Sequence, residues 1–254
     1  MKIVTVMLYG GYVTAIKVKD IRLKVIPAKL ANDFVKKYHY SGKVVPNSKL
    51  HFGAFYNNVL HGVLSYGSSI NKKGTKNLVK GTNWNGFIEL NRMAFDDILP
   101  KNSESRCISV SIKLIKKNAP HIKWIVSFAD GTQCGDGTIY RASGFRLVGI
   151  TKNTALRLNP VNNEPIHVIQ AHHLKLSSKF RKWDALDGYQ LKYIYFIDKT
   201  KEKDLTVPFI PFSKKKEMGI GMYKGKKIGI DSLKVKQLKT NEEKVVQYQP
   251  QCSN

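Results

Sequence analysis

The chain has 254 residues, enough to bury a sizeable core, and 42% of them are apolar, which excludes wholesale disorder. Lys and Arg number 43 against 18 Asp and Glu, a formal charge of +25, so a polyanion is the expected partner. The three cysteines, Cys107, Cys134 and Cys252, are too few and too widely spaced for a disulfide framework or a paired-cysteine zinc site.

The opening MKIVTVMLYGGYVTAIKV alternates around Gly10-Gly11 and reads as a hairpin rather than a leader, and no apolar run reaches membrane length. A cytoplasmic protein with no membrane partner is the expectation. Two short strands fill residues 1–27, and Pro27 opens the next element. In AKLANDFVKKY, residues 28–38, Leu30, Phe34 and Tyr38 fall at helical spacing. His51 to Leu64 reads as a hairpin turning on Asn57-Asn58, a pair that tolerates positive φ. Aromatics of Phe52–Tyr56 or Tyr38–Tyr40 could stack on a base, or could be core. A loop rich in Lys, Gly and Asn follows from Ser68 to Gly86.

Phe87 to Phe95 alternates as a strand, with Ile88, Leu90 and Arg92 on one face and Glu89, Asn91 and Met93 on the other. An unpaired Arg on a central strand is costly to bury, so Arg92 should meet an acid such as Glu89 or an anionic ligand. Asn102 or Ser103 caps a helix whose apolar stripe is Ile108, Ile112 and Ile115. Its first turn presents backbone amides beside Ser103, Ser105 and Arg106, an anion site suited to a pyrophosphate, although Glu104 opposes it. Cys107 reads as a small buried residue on this helix.

Ile122 to Phe128 is nearly all apolar, as a central strand should be, and Asp130 lies at its C-terminal end. Cys134 follows in a polar Gly-rich turn, a place where a site role is open. Tyr140 stands in a short helix capped near Asp136 or Thr138 and closed by Gly144. Arg146–Ile150 and Lys192–Ile197 are further strands with less regular chain between them. Past Pro211 the chain becomes a Lys-rich extension, mobile or ordered on a partner. The organisation expected is one catalytic domain over 1–211 and an extension over 212–254.

The order strand, anion-binding turn, helix, strand, short helix ending IYRASGF is similar to that of GNAT-type acyltransferases, without their glycine-rich phosphate loop. ELNRMAF, LPKNSESRCIS, IKWIVSFAD and GTIYRASGF, with YHYSG upstream and KYIYFIDK and DLTVPFIPFSK downstream, more closely resemble the Mom family of bacteriophage DNA-modification proteins. The resemblance covers roughly residues 25–215. It implies a GNAT-like α/β (α+β) fold, with a central mixed, mostly antiparallel sheet flanked by helices. It also implies conversion of adenine in double-stranded DNA to a methylcarbamoyl adenine that protects phage DNA from restriction.

The same resemblance implies acetyl coenzyme A and an iron ion. It places catalytic roles on Arg92, Ser105, Asp130 and Tyr140, and cofactor contacts on Ser103, Ser105, Arg106 and Tyr140. Iron would fall to His39, Tyr40 and Asp130, an imidazole, a phenolate and a carboxylate of the kind that suits a non-haem iron. The oligomeric state entertained is a dimer. Two other classes stay open: a GNAT-type acetyltransferase acting on a protein or RNA amine, and a non-enzymatic basic nucleic-acid-binding protein.

Overall fold

The computed structural model describes residues 16–131, 135–162, 165–186 and 188–218. Residues 1–15, where a hairpin is expected, Cys134, Cys252 and most of the Lys-rich extension lie outside the described residues. In chain order the elements are β1 (Arg22–Val25), α1 (Ala28–Tyr38), β2 (Ser48–Tyr56), β3 (Val59–Gly67), α2 (Lys72–Lys76), β4 (Phe87–Phe95), α3 (Ser103–Asn118) and β5 (Trp124–Asp130). They continue with α4 (Thr138–Ala142), β6 (Arg146–Lys152), β7 (Leu156–Leu158), β8 (Pro165–His167), α5 (Val168–His173), α6 (Ser177–Phe180), β9 (Tyr189–Phe196) and α7 (Ser213–Glu217). Seven strands form one sheet in the order β1-β2-β3-β4-β5-β9-β6, and β7 and β8 form a two-stranded ribbon. The first three pairings are antiparallel and β4–β5 is parallel, so the sheet is mixed and mostly antiparallel, with helices beside it.

The described chain clusters into two compact, interleaved units. The first holds residues up to Ser127, Ile139–Arg146 and Ile194–Pro208, and so contains β1 to β4, α1 to α3 and the start of β5. Its hairpin turns where the sequence says it should. Asn57 and Asn58 both adopt positive φ (46° and 62°), the geometry of a type I′ turn, whose twist matches the flanking strands. On one side of the sheet α1 buries Ala31, Phe34 and Val35 against Ile26, Val63 and Ala94. The helix α3 buries Cys107, Ile108, Ser111, Ile112 and Ile115, the expected stripe with small residues added. Tyr66 of β3 donates to or accepts from Ser111 of α3 at 2.6 Å, so odd and even residues of β3 serve opposite faces.

The first unit closes on Trp124. It is fully buried, stacks on Phe87 at 4.4 Å and donates its indole N–H to Thr82. That bond fixes the loop before β4, because Thr82 in turn donates to the Val79 carbonyl at 2.7 Å.

The second unit comprises Phe128–Thr138, Leu147–Tyr193 and the chain from Phe209. Ile166, Ala171 and Phe180 form its small apolar cluster, with Trp183 packed on Phe180. Asp136 accepts from the Thr138 amide at 3.0 Å and the Thr138 hydroxyl at 2.6 Å, so this Asp caps α4 as expected. The other Asp136 oxygen pairs with Lys215, a buried lysine on α7. The start of the basic extension is therefore tied down by a buried ion pair.

Candidate active site

Strand β4 carries the central irregularity. Ser65 of β3 pairs with Arg92 while the next residue, Tyr66, pairs with Leu90, so Asn91 is an extra residue in β4. A bulge of this kind bends a strand and re-aims its side chains, and bulges gather beside active sites. The strict alternation expected for β4 fails at this point. Leu90 shares the Tyr66 side of the sheet, whereas Arg92 moves to the Ser65 side and joins Glu89, the partner of Gly67. The parallel register with β5 runs from Phe87↔Trp124 to Leu90↔Ser127, and β4 continues to Phe95.

The bulge gathers buried polar groups. Asn91 accepts from the Ser48 hydroxyl at 3.1 Å and donates to the Ser68 carbonyl at 3.4 Å. Glu89 is 9% exposed. Burial pushes its carboxyl above the usual range, opposed by hydrogen bonds from Ser69 and Asn91 and by the charge of Arg92. Arg92 is half-buried and donates to the carbonyls of Lys43 and Asn91 at 3.1 and 3.0 Å. Among the described residues its guanidinium enters no ion pair. The expected acid partner is thus a neighbour rather than a clamp, and the guanidinium keeps charge to offer a ligand.

The bulge that brings Glu89 and Arg92 to one face has no signature in ELNRMAF. His51 is equally unmarked in the sequence. That ring is 3% exposed, its Nδ1 bonds the Ser65 hydroxyl at 2.8 Å, and burial depresses its basicity.

Replacing Glu89 with Gln provides a direct reading of this environment. A carboxyl raised by burial carries no penalty below its unfolded pKa, and destabilises the fold as pH rises through and above that value. Glu89→Gln should therefore melt with wild type near pH 4 and above it near pH 7. Thermal denaturation across that range checks it, and equal midpoints at pH 7 would contradict the burial argument.

On the other side of the sheet stands α3. Asn102 precedes it in the left-handed conformation (φ 74°), and its side chain makes no capping bond, so neither Asn102 nor Ser103 caps in the expected way. Instead the Ser103 and Ser105 hydroxyls donate to the carbonyls of Pro100 and Asn102. Among the described residues the amides of Glu104 and Ser105 donate to no carbonyl. An open groove of about 430 Å³ lies over this helix start, lined by Ser105, Arg106, Ser109 and Lys113 of α3, with Ala142 and Val18. Ser105 and Arg106 face it; Ser103 is 1% exposed and its side chain is not in its wall. Free amides, two cations and the polar side chains of Asn102, Ser105 and Ser109 fit a pyrophosphate, and hence the phosphate portion of a coenzyme A.

Tyr140 lies on α4 with its ring 5.7 Å from Phe145, and the Phe145 amide returns to the Tyr140 carbonyl at 3.0 Å across Gly144 (φ 84°). Burial pushes the phenol of Tyr66 well up, and the nearby Tyr140 adds to that rise, so the two phenols are neighbours. Cys107, buried on α3, is pushed up to about 12 by the same desolvation and remains a thiol. Asp130 ends β5 in the second unit, where its carboxylate accepts from Asn153 at 3.2 Å.

His39 and Tyr40 follow α1 in the first unit, with rings 4.2 Å apart. His39 Nδ1 accepts the Ser41 amide at 3.1 Å and lies 2.8 Å from the Ser41 hydroxyl. Among the described residues no three His, Cys, Asp or Glu side chains gather as a metal site. His39 and Tyr40 belong to the first unit and Asp130 to the second. Two of the proposed base-stacking aromatics are also accounted for otherwise: Phe52 is buried edge-on against Tyr66, and Tyr38 packs on Phe34.

The first unit thus carries a helix start opening on a basic groove and, on its bulged strand, a buried carboxyl beside a half-buried guanidinium. The model of the Mom protein family matches residues 20–214, and the chain belongs to that family. It is 34% identical over 206 residues to the methylcarbamoylase Mom of Escherichia phage Mu, covering 78% of this chain and 84% of that protein. Among solved structures it is similar to a Bacillus subtilis acetyltransferase in complex with CoA (11% identity, 69% of this chain and 98% of that one, TM-score 0.42). It is also similar to a GNAT family acetyltransferase from Elizabethkingia anophelis with acetyl-CoA bound (14%, 70% and 98%, TM-score 0.41). No helix among the described residues is long and apolar enough to cross a membrane.

Proposed function

We propose that this enzyme transfers a methylcarbamoyl-type group to the exocyclic amine of adenine in double-stranded phage DNA, protecting that DNA from restriction. The observation that carries the reading is the 34% identity to the Mu methylcarbamoylase over 206 residues. The charge of +25 supports DNA as the partner, because neutralised phosphates release counterions whatever the sequence.

The chain's own groups supply a coherent division of labour. The Ser105 amide, Arg106 and Lys113 would hold the phosphates of a coenzyme A. Tyr140 would donate a proton to the group that leaves. The adenine must leave the stack for its amine to be reached. Glu89, whose basicity burial has raised, accepts the proton that the amine loses, and Arg92 balances the negative charge that develops nearby. Asp130 orients the second unit's loop through Asn153.

The test is the nucleoside content of plasmid DNA from cells expressing the full chain. Tyr140→Phe and Asp130→Ala should keep duplex binding and lose the modified adenine. Unmodified plasmid from cells rich in soluble wild-type protein would end this reading.

A further inference from the structure

The loop between β3 and β4 is the most unusual exposed segment of the first unit. From Asp33 to Glu89 the sequence holds no intervening acidic residue, and Lys72, Lys73, Lys76 and Lys80 crowd this one loop. Its tip is a tight turn, with the Gly86 amide donating to the Asn83 carbonyl at 2.8 Å, and Trp84 sits on it 55% exposed. Lys72 lies 4.6 Å over the indole and donates to Asn85 at 3.1 Å, so the ring is propped by a cation on one face. Ile70, two residues from Lys72, is 78% exposed.

The base of the loop is rigid. Thr82 is held by Val79 and by buried Trp124, and the Lys80 amide donates to the Asp204 carbonyl at 2.8 Å. Asn71 caps α2 by accepting from Gly74, and the buried Ser69 and Thr75 hydroxyls bond at 3.0 Å. A large exposed aromatic is ordinarily unfavourable, and here it is carried on an anchored turn with Lys72 against its ring in a lysine-rich loop. That combination matches what an element entering a duplex needs: cations for the phosphates, a flat apolar face for a base, and little freedom left to lose.

We propose that Trp84 enters duplex DNA beside the target adenine and stacks in the gap that the flipped base leaves, while Lys72 and its neighbours hold the flanking phosphates. The proposal rests on the adenine-modification reading for its purpose, although the contact itself can be measured without it. An unpaired neighbour restacks quickly, so a residue that occupies the gap raises the time the adenine spends outside the helix.

The experiment compares wild type, Trp84→Ala and Trp84→Phe as full-length protein. Trp84→Ala should cut the modified adenine in plasmid DNA by about tenfold or more, within the range found for a stacking residue, and Trp84→Phe should restore most of it. Both should melt with wild type, since the side chain is exposed. In parallel, a mixed-sequence duplex oligonucleotide should quench the tryptophan emission of wild type and leave that of Trp84→Phe largely unchanged. Full modification by Trp84→Ala would overturn the proposal, as would quenching by single-stranded DNA or RNA but not by duplex. If wild type modifies no DNA yet the duplex still quenches Trp84, the adenine reading falls and the stacking contact stands.

Discussion

Arg92→Ala should lower adenine modification by about 100-fold or more while costing about 1 kcal/mol or less in stability. The guanidinium sits half-buried beside a bulge, donates to two carbonyls and enters no ion pair among the described residues. Its removal therefore breaks no buried charge pair, and the Lys43 carbonyl lies near solvent. What it removes is a positive charge on the strand face that also bears the buried Glu89. Preorganised charge in a partly dry site acts on the transition state far more than on folding. Arg92→Lys should recover little, because the ammonium cannot reproduce a planar fork held by two carbonyls. Modified nucleoside per plasmid, beside urea unfolding of the same preparations, separates the two effects. Activity within threefold of wild type would remove Arg92 from the site.

Trp124→Ala should be the most destabilising single change, by about 3–5 kcal/mol. The indole is fully buried, stacks on Phe87 and donates to Thr82, so its loss opens a cavity and leaves a buried hydroxyl short of a donor. Trp124→Phe keeps the stacking and should cost about half as much. The change also releases the foot of the Trp84 loop, so Trp124→Phe should reduce duplex-dependent quenching even where the protein remains folded. Denaturant midpoints check the first statement; a loss below about 1 kcal/mol for Trp124→Ala would contradict the packing described here.

Much of this fold could be read from the residues. The helix at 28–38, the Asn57-Asn58 hairpin, the strand Phe87–Phe95, the Ile108/Ile112/Ile115 stripe and the Gly144 closure all follow local periodicity or local backbone preference, and all are present. The failures are non-local. Alternation placed Arg92 with Leu90 because a period of two has no means of anticipating an inserted Asn91, whose bulge depends on pairing with β3. Asn102 looked like a cap, but it turns the chain through positive φ, and two serines use their hydroxyls on nearby carbonyls. Of the two readings open for Phe52, a base-stacking face or core, the structure shows core: it is buried edge-on against Tyr66. Trp84 escaped notice for the opposite reason: a single Trp in a Lys- and Asn-rich loop carries no periodicity, and its exposure is a property of the anchored turn.

The central claim is that this enzyme writes a methylcarbamoyl-type group on adenine in duplex DNA. Its most direct test is to express the full chain with a plasmid, digest the plasmid to nucleosides and separate them by mass. The account predicts an additional adenine nucleoside carrying the extra group, lost in Arg92→Ala and in Tyr140→Phe. Four ordinary nucleosides alone, from cells in which the wild-type protein is soluble and folded, would contradict it.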